Sequence, residues 1–310
     1  MILSVSRRTD IPAFYSDWFF NRIKEEFVLV KNPFNSKQVS KVELSPKVID
    51  CIVFWTKNPK KMMRRLDEIK EYNYYFQFTL NSYDKTLETN VPEKKYLINT
   101  FIELSKRIGK DRVIWRYDPI ILTDKFTKDY HYKWYEYLAK RLCPYTNKCV
   151  ISFLDLYRKT ERNLKEINIL PIDKDGMFEL AEKFSKIASK YNVTIETCSE
   201  EIDLSKFNIK HGKCIDDRLI SKIVGEKLSI DKDPNQREVC GCVKSIDIGA
   251  YNTCNHGCLY CYANFNRDAV EKNVLKHNKK SPMLIGELCG DEKAIDRKMK
   301  SYRDSQLSFL

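Results

Sequence analysis

Short β-branched or aromatic runs alternate with helix-period segments along nearly the whole of this 310-residue chain. The strand-like runs cover residues 2–6, 52–55, 74–80, 113–117, 150–153, 193–197 and 245–248. Amphipathic stretches lie between them. Leu97, Phe101, Leu104 and Ile108 share one helical face after Pro92, and Met63, Leu66 and Ile69 do so after Pro59. Leu180, Phe184, Ile187 and Ala188 form a third stripe, with Asp175 as its expected N-cap. Trp134, Leu138 and Leu142 form a fourth; Leu219, Ile220, Ile223 and Val224 form a fifth behind Asp216. Such alternation calls for an α/β fold with a parallel sheet and right-handed crossovers. Seven units favour a (β/α) TIM-like or partial barrel over an open sheet. No Gly-rich dinucleotide fingerprint follows the first run, which argues against a Rossmann arrangement.

Residues 27–45 read as a small hairpin inserted after the first helix. No internal repeat, low-complexity tract or linker interrupts the pattern. The expected organisation is one barrel domain over 1–277, with a cysteine-rich segment at 198–263. A lysine-rich C-terminal extension over 278–310 is expected to wrap the outside.

The 43% hydrophobic content supplies a full core and excludes a disordered chain. No basic region followed by a long apolar stretch opens the sequence, and the longest apolar runs, such as 51–55, are too short to span a bilayer. The expectation is a soluble, cytoplasmic protein with no membrane partner. The net charge of +12 leans toward an anionic partner, nucleic acid or a nucleotide. A lysine-rich, solvated surface gives the same balance, and the lysines are spread rather than blocked.

Eleven cysteines in a cytoplasmic chain read as ligands or buried thiols, not as a disulfide framework. Cys51 and Cys149 adjoin strand runs and are expected to be small buried hydrophobes; Cys143 and Cys289 are likewise scattered. Seven others fall between residues 198 and 261. Three of these stand in Cys254-Asn-His-Gly-Cys258-Leu-Tyr-Cys261, a C-x3-C-x2-C spacing. Three thiolates on one short loop can hold three corners of a cubane iron–sulfur cluster and leave the fourth iron open. A zinc site, drawing on His256 or on Cys240 and Cys242, and a fully ligated cluster are the alternatives. The remaining four, Cys198, Cys214, Cys240 and Cys242, match the complement of a second [4Fe-4S] cluster, a structural zinc or free thiols.

The strand runs end in polar clusters: Ser6-Arg7-Arg8-Thr9-Asp10, Trp55-Thr56-Lys57-Asn58-Pro59, Trp115-Arg116-Tyr117-Asp118-Pro119 and Glu196-Thr197-Cys198-Ser199-Glu200. In a parallel αβ barrel these ends share one mouth, where active sites lie. Ordinary caps, turns and ion pairs are the competing account of any one residue. As a set they make Arg8, Asp10, Arg116 and Asp118 the candidate catalytic groups. Gln77 and Asp10 are candidate cofactor contacts at the same mouth.

The cysteine run, with Tyr260 before its last cysteine, resembles the signature of the radical S-adenosylmethionine (radical SAM) superfamily. That resemblance implies a [4Fe-4S] cluster on Cys254, Cys258 and Cys261 whose open iron chelates SAM, with Tyr260 near the adenine. It also implies reductive cleavage to a 5′-deoxyadenosyl radical, fed by an electron donor such as flavodoxin or ferredoxin. In most of that superfamily the loop follows the first strand; here it follows the last, so a circularly permuted barrel is implied. No Gly-Gly-Glu run follows 2–6, so the SAM contacts do not transfer residue by residue. Along its length, from Ser4–Pro12 through Phe54–Pro59 and Trp115–Pro119 to Cys254–Ala263, the chain is similar to the bacterial domain-of-unknown-function family 1848. That resemblance implies a C-terminal cysteine cluster and names no substrate. The expected function is a radical SAM enzyme, with nucleic acid or a nucleotide as the favoured substrate class. A non-catalytic, zinc- or iron–sulfur-containing nucleic-acid-binding protein is the rival, and an electron-transfer protein a third.

Overall fold

The computed structural model describes residues 1–155, 158–288, 290 and 292–304. Cys289 and the last six residues of the expected extension lie outside the described residues. The centre is an eight-stranded sheet in the order Lys210–His211, Thr194–Thr197, Lys148–Phe153, Val113–Ile120, Tyr74–Thr79, Cys51–Thr56, Ile2–Val5 and Ile246–Asp247. Every neighbouring pair is parallel. The first seven strands in this set are neighbours in chain order, and the last one returns to lie beside the first. The two end strands, of two residues each, are not laddered to one another. A backbone bond from Val243 N to Ile215 O, 3.2 Å, ties together the segments that flank them.

The apolar runs are nearly continuous because both faces of the sheet are covered. Side chains alternate along each strand. Leu3, Phe54, Phe76, Trp115 and Ile151 join one core with helices Lys94–Ile108, Lys128–Leu142 and Lys174–Lys190. Ile2, Cys51, Val53, Tyr75, Ile114 and Val150 point the other way. No long helix covers that second face. The segment from Cys214 to Val243 does, through Cys214, Ile215, Ile220, Cys240, Cys242 and Val243. Cysteines of the second set are thereby carried into the interior. Cys51 and Cys149 are fully buried among apolar neighbours, as their strand positions require.

Asp216 caps the helix Asp217–Val224, its carboxylate accepting from Arg218 N. The cap of Lys174–Lys190 is Asp173, not Asp175: the chain arrives extended at Asp173, whose Oδ1 accepts from Gly176 N at 2.8 Å. The stripe after Pro59 breaks into a four-residue helix, Lys60–Met63, and a 3-10 turn, Leu66–Ile69. The expected hairpin is present as Phe27–Asn32 against Asn35–Glu43, and Lys293–Asp296 of the C-terminal segment adds a third strand to it. Among the described residues no helix is long and apolar enough to cross a membrane.

Candidate functional site

At the C-terminal ends of the central strands the chain encloses a cavity of about 480 Å³, and all seven clustered cysteines line it. Four strands and the segments after them reach it as well, through Arg116 within its strand and Arg7, Lys57 and Asp155 beyond theirs, among others.

The cysteine loop is set by the strand before it. Asp247 accepts from the Ser4 and Ser6 hydroxyls, from Arg7 N and from Gly249 N. One carboxylate therefore pins the end of the first strand to the end of the last. Gly249 follows, and a Cβ there would stand 2.0 Å from Ser6 Oγ and 2.6 Å from Ser6 Cβ. Gly249→Ala is expected to destabilise the protein by about 1–3 kcal/mol, since neighbouring backbone must move. An unchanged denaturation midpoint would refute this. The loop is then stapled to residues 87–90: Leu259 N donates to Leu87 O at 3.0 Å, and Asn90 N to His256 O at 2.9 Å. His256 Nε2 lies 2.8 Å from Asp10 Oδ2, which also accepts from Lys57 N at 2.7 Å. Asp10 Oδ1 caps Ala13 N.

Beneath the loop runs a buried polar network. Lys57 Nζ donates to Glu88 Oε1 at 2.7 Å and to Tyr260 Oη at 2.9 Å. Tyr260 in turn donates to Glu88, and Lys94 pairs with the other Glu88 oxygen. Burial opposes the Glu88 charge, but Lys57 and Lys94 outweigh it and hold the carboxyl at about 2. The Lys57 ammonium also acts on the Cys258 and Cys261 thiols. Burial pushes Cys258 up to about 12 and raises Cys254 and Cys261, with the neighbouring thiols adding to the rise for Cys254 and Cys258.

The second set forms a chain of contacts. Cys198 Sγ is 3.1 Å from Cys214 Sγ; Cys214 meets Cys242, and Cys242 meets Cys240. Arg116 Nη1 donates to Cys214 Sγ at 2.8 Å and to Gln77 Oε1 at 3.3 Å, while its other nitrogens grip Asp118. Gln77 Nε2 donates to the Cys214 carbonyl at 2.7 Å. Contact with Cys198 favours the Cys214 thiolate, yet Cys242 and burial push that thiol up to about 12. Cys240, in contact with Cys242, comes down to about 7. The raised thiols of both sets, Cys240 apart, need added positive charge to ionise, and a metal cluster bound there would supply it. The donor set is soft and buried. Thr9 Oγ1, Ser199 Oγ and His256 Nδ1, all of cavity-lining residues, are buried without a hydrogen-bond partner among the described residues. These features fit a resident iron–sulfur group. Among the described residues, no three or more His, Cys, Asp or Glu side chains gather as a site for one metal ion.

The expected residues thus meet in one place, with differences in posture. Arg8, Asp10, Arg116, Asp118 and Tyr260 line the cavity; Gln77 lies behind it, under Cys214. Asp10 is spent on the cysteine loop, and Asp118 on Arg116. Lys57, Glu88, Lys94 and Arg7 were not singled out in the sequence. Lys57 stood within a conspicuous strand-end motif, but nothing local marks Glu88 or Lys94.

The fold and cavity define a mixed α/β protein with a cysteine-lined chamber at the strand ends of a large parallel sheet. The model of the family described as domain of unknown function (DUF1848) matches residues 2–263, and the chain belongs to that family. No curated protein matches it. Among solved structures it is similar to a crystal structure described as that of a candidate alpha-L-fucosidase from Bacteroides thetaiotaomicron VPI-5482. The identity is 14% over 74% of this chain and 84% of that one, with a TM-score of 0.26. At that score neither fold nor activity transfers.

Proposed function

We propose that the chain is a radical SAM enzyme on a partial (β/α) barrel, circularly permuted so that Ile246–Asp247 plays the usual first strand. The return of that strand to the side of Ile2–Val5 supports the permutation. One observation carries the functional reading: both cysteine sets open onto a single chamber at the strand ends. Cys254, Cys258 and Cys261 would hold a [4Fe-4S] cluster with one open iron, and Cys198, Cys214, Cys240 and Cys242 a second [4Fe-4S] cluster. A cubane takes its thiolates on separate irons, so its ligands need not converge on one point. When bound, the first cluster supplies one electron to the SAM sulfonium and thereby a 5′-deoxyadenosyl radical that abstracts hydrogen from substrate.

The chain's own residues prepare the chamber. Tyr260 is locked by Lys57, Glu88 and Asn81, presenting a fixed aromatic edge beside the loop. Lys57 places a buried positive charge against the three-cysteine set, and Arg116 does so for the second. Segment 214–243 packs against the inner sheet face and keeps water from it. A protein electron donor such as flavodoxin or ferredoxin is the implied partner, and a nucleotide or nucleic acid is the substrate class the positive charge favours.

Anaerobic purification with cluster reconstitution tests this. The expected protein is brown, carries about eight iron and eight sulfide per chain for two cubanes, and forms 5′-deoxyadenosine with SAM and a reductant. Colourless zinc protein that binds nucleic acid with a steep salt dependence would replace this reading with the non-catalytic one. Full clusters with no SAM cleavage would leave an electron carrier.

A further inference from the structure

We infer that Arg7 and Arg8 form a binding site for an oxyanion, phosphate or carboxylate, carried by the substrate; this rests on reading the cavity as a substrate chamber. Both side chains line it. The other cations of its lining are committed: Lys57 to Glu88, Arg116 to Asp118 and Arg237 to Asp155. Among the described residues Arg7 and Arg8 form no ion pair. Asp247 attracts Arg7 from beyond ion-pair distance, but its oxygens are taken by hydroxyls and backbone N–H groups. Arg7 spends one N–H on Ser245 Oγ at 3.3 Å, and Arg8 one on the Gly249 carbonyl at 3.4 Å, both long contacts. A guanidinium carries five N–H donors, so most of the pair's hydrogen-bonding capacity is uncommitted.

The pair is also held in place. The Arg7 guanidinium lies 6.0 Å from the centre of the Trp55 ring and that of Arg8 5.3 Å from Tyr251. Their backbones are tied down: Arg7 N to Asp247 at 2.8 Å, Arg8 N to Ser6 Oγ at 2.9 Å, and the Tyr262 hydroxyl to the Arg7 carbonyl at 2.9 Å. Arg7 acts electrostatically with Cys214 and Cys242 of the second set and with Tyr262, next to Cys261 of the first. Lys57 already acts on the Cys258 thiol, and Arg116 already contacts Cys214. A planar, always-charged fork with spare donors matches carboxylate or phosphate.

Calorimetric titration of the reconstituted holoprotein at low salt tests this, with inorganic pyrophosphate, succinate and SAM as separate probes. Pyrophosphate or succinate is expected to bind, and to bind about tenfold more weakly to Arg7→Gln and to Arg8→Gln. The stronger probe identifies the oxyanion as phosphate or carboxylate. Lys279→Gln, on an exposed lysine, is expected to bind like wild type. Should Arg7→Gln fail to fold, Arg7→Lys keeps the charge without the fork and is expected to fall between. Failure of both pyrophosphate and succinate to bind, equal binding in the variants, or loss of SAM binding with the probes unaffected would each overturn the site. Iron and sulfide content of the wild type tests the cluster reading separately.

Discussion

A Cys258→Ala chain is expected to retain about half the wild-type iron and to form no 5′-deoxyadenosine. Cys258 is the middle cysteine of the C-x3-C-x2-C run, buried and lining the cavity. Its loop is held by other means: the Leu87 and His256 backbone bonds, the Asp10–His256 contact and the Tyr260–Glu88 pair. Removing one sulfur would therefore delete one proposed ligand while leaving those attachments in place. The second set lies on a different segment, packed under the sheet by Tyr75 and Gln77, so its iron is expected to stay. Cys214→Ala makes the reciprocal case: the other half of the iron is lost, together with the sulfur that Arg116 reaches. Cys51→Ala, a buried strand cysteine far from either role, is expected to keep full iron. Elemental analysis with the SAM cleavage assay on the three variants separates these outcomes. Full iron and unimpaired cleavage in Cys258→Ala would remove the loop from the metal centre.

The inner strands were readable because they are buried on two faces, and a run such as Cys51–Thr56 leaves almost no polar position to blur it; the exposed end strand Lys210–His211 was not read. The hairpin was readable by its turn residues. The stripe at Met63, Leu66 and Ile69 misled because three apolar residues at helical spacing suit a broken 3-10 turn as well as a continuous helix. In the site, sequence spacing was enough to group Cys254, Cys258 and Cys261, since residues of one short loop are close in space as in the chain. It also brought Arg8, Asp10, Arg116 and Asp118 to the mouth, because strand ends in a parallel sheet share an edge. It did not assign their partners. That Arg116 also reaches Cys214 depends on segment 214–243 folding across the inner face, and among the described residues Arg7 forms no ion pair. Glu88 was invisible for the same reason: it lies in a loop, and its meaning comes from Lys57, Lys94 and Tyr260 arriving from elsewhere.

Glu88→Gln is expected to cost about 3–5 kcal/mol of stability at neutral pH, the range for removing one partner of a buried ion pair. Glu88 is 1% exposed and lies between two ammonium groups, each largely shielded from water. A neutral amide would leave Lys57 and Lys94 facing one another with nothing to offset them. The sign of the pH dependence follows from the depressed carboxyl. Its contribution is fully present above the unfolded value of 4.5 and is lost as pH falls toward about 2. Wild type is therefore expected to lose stability over that interval more steeply than Glu88→Gln, and the gap between them to narrow. Denaturant unfolding at pH steps from 7 down to about 2, with iron content followed in parallel, measures both. Because Tyr260 and the Cys258 backbone lean on the same residue, the variant is also expected to release iron from the three-cysteine set more readily than from the second. Equal release from both sets would mean that the Lys57–Glu88–Tyr260 network supports the fold alone, not the cysteine loop in particular.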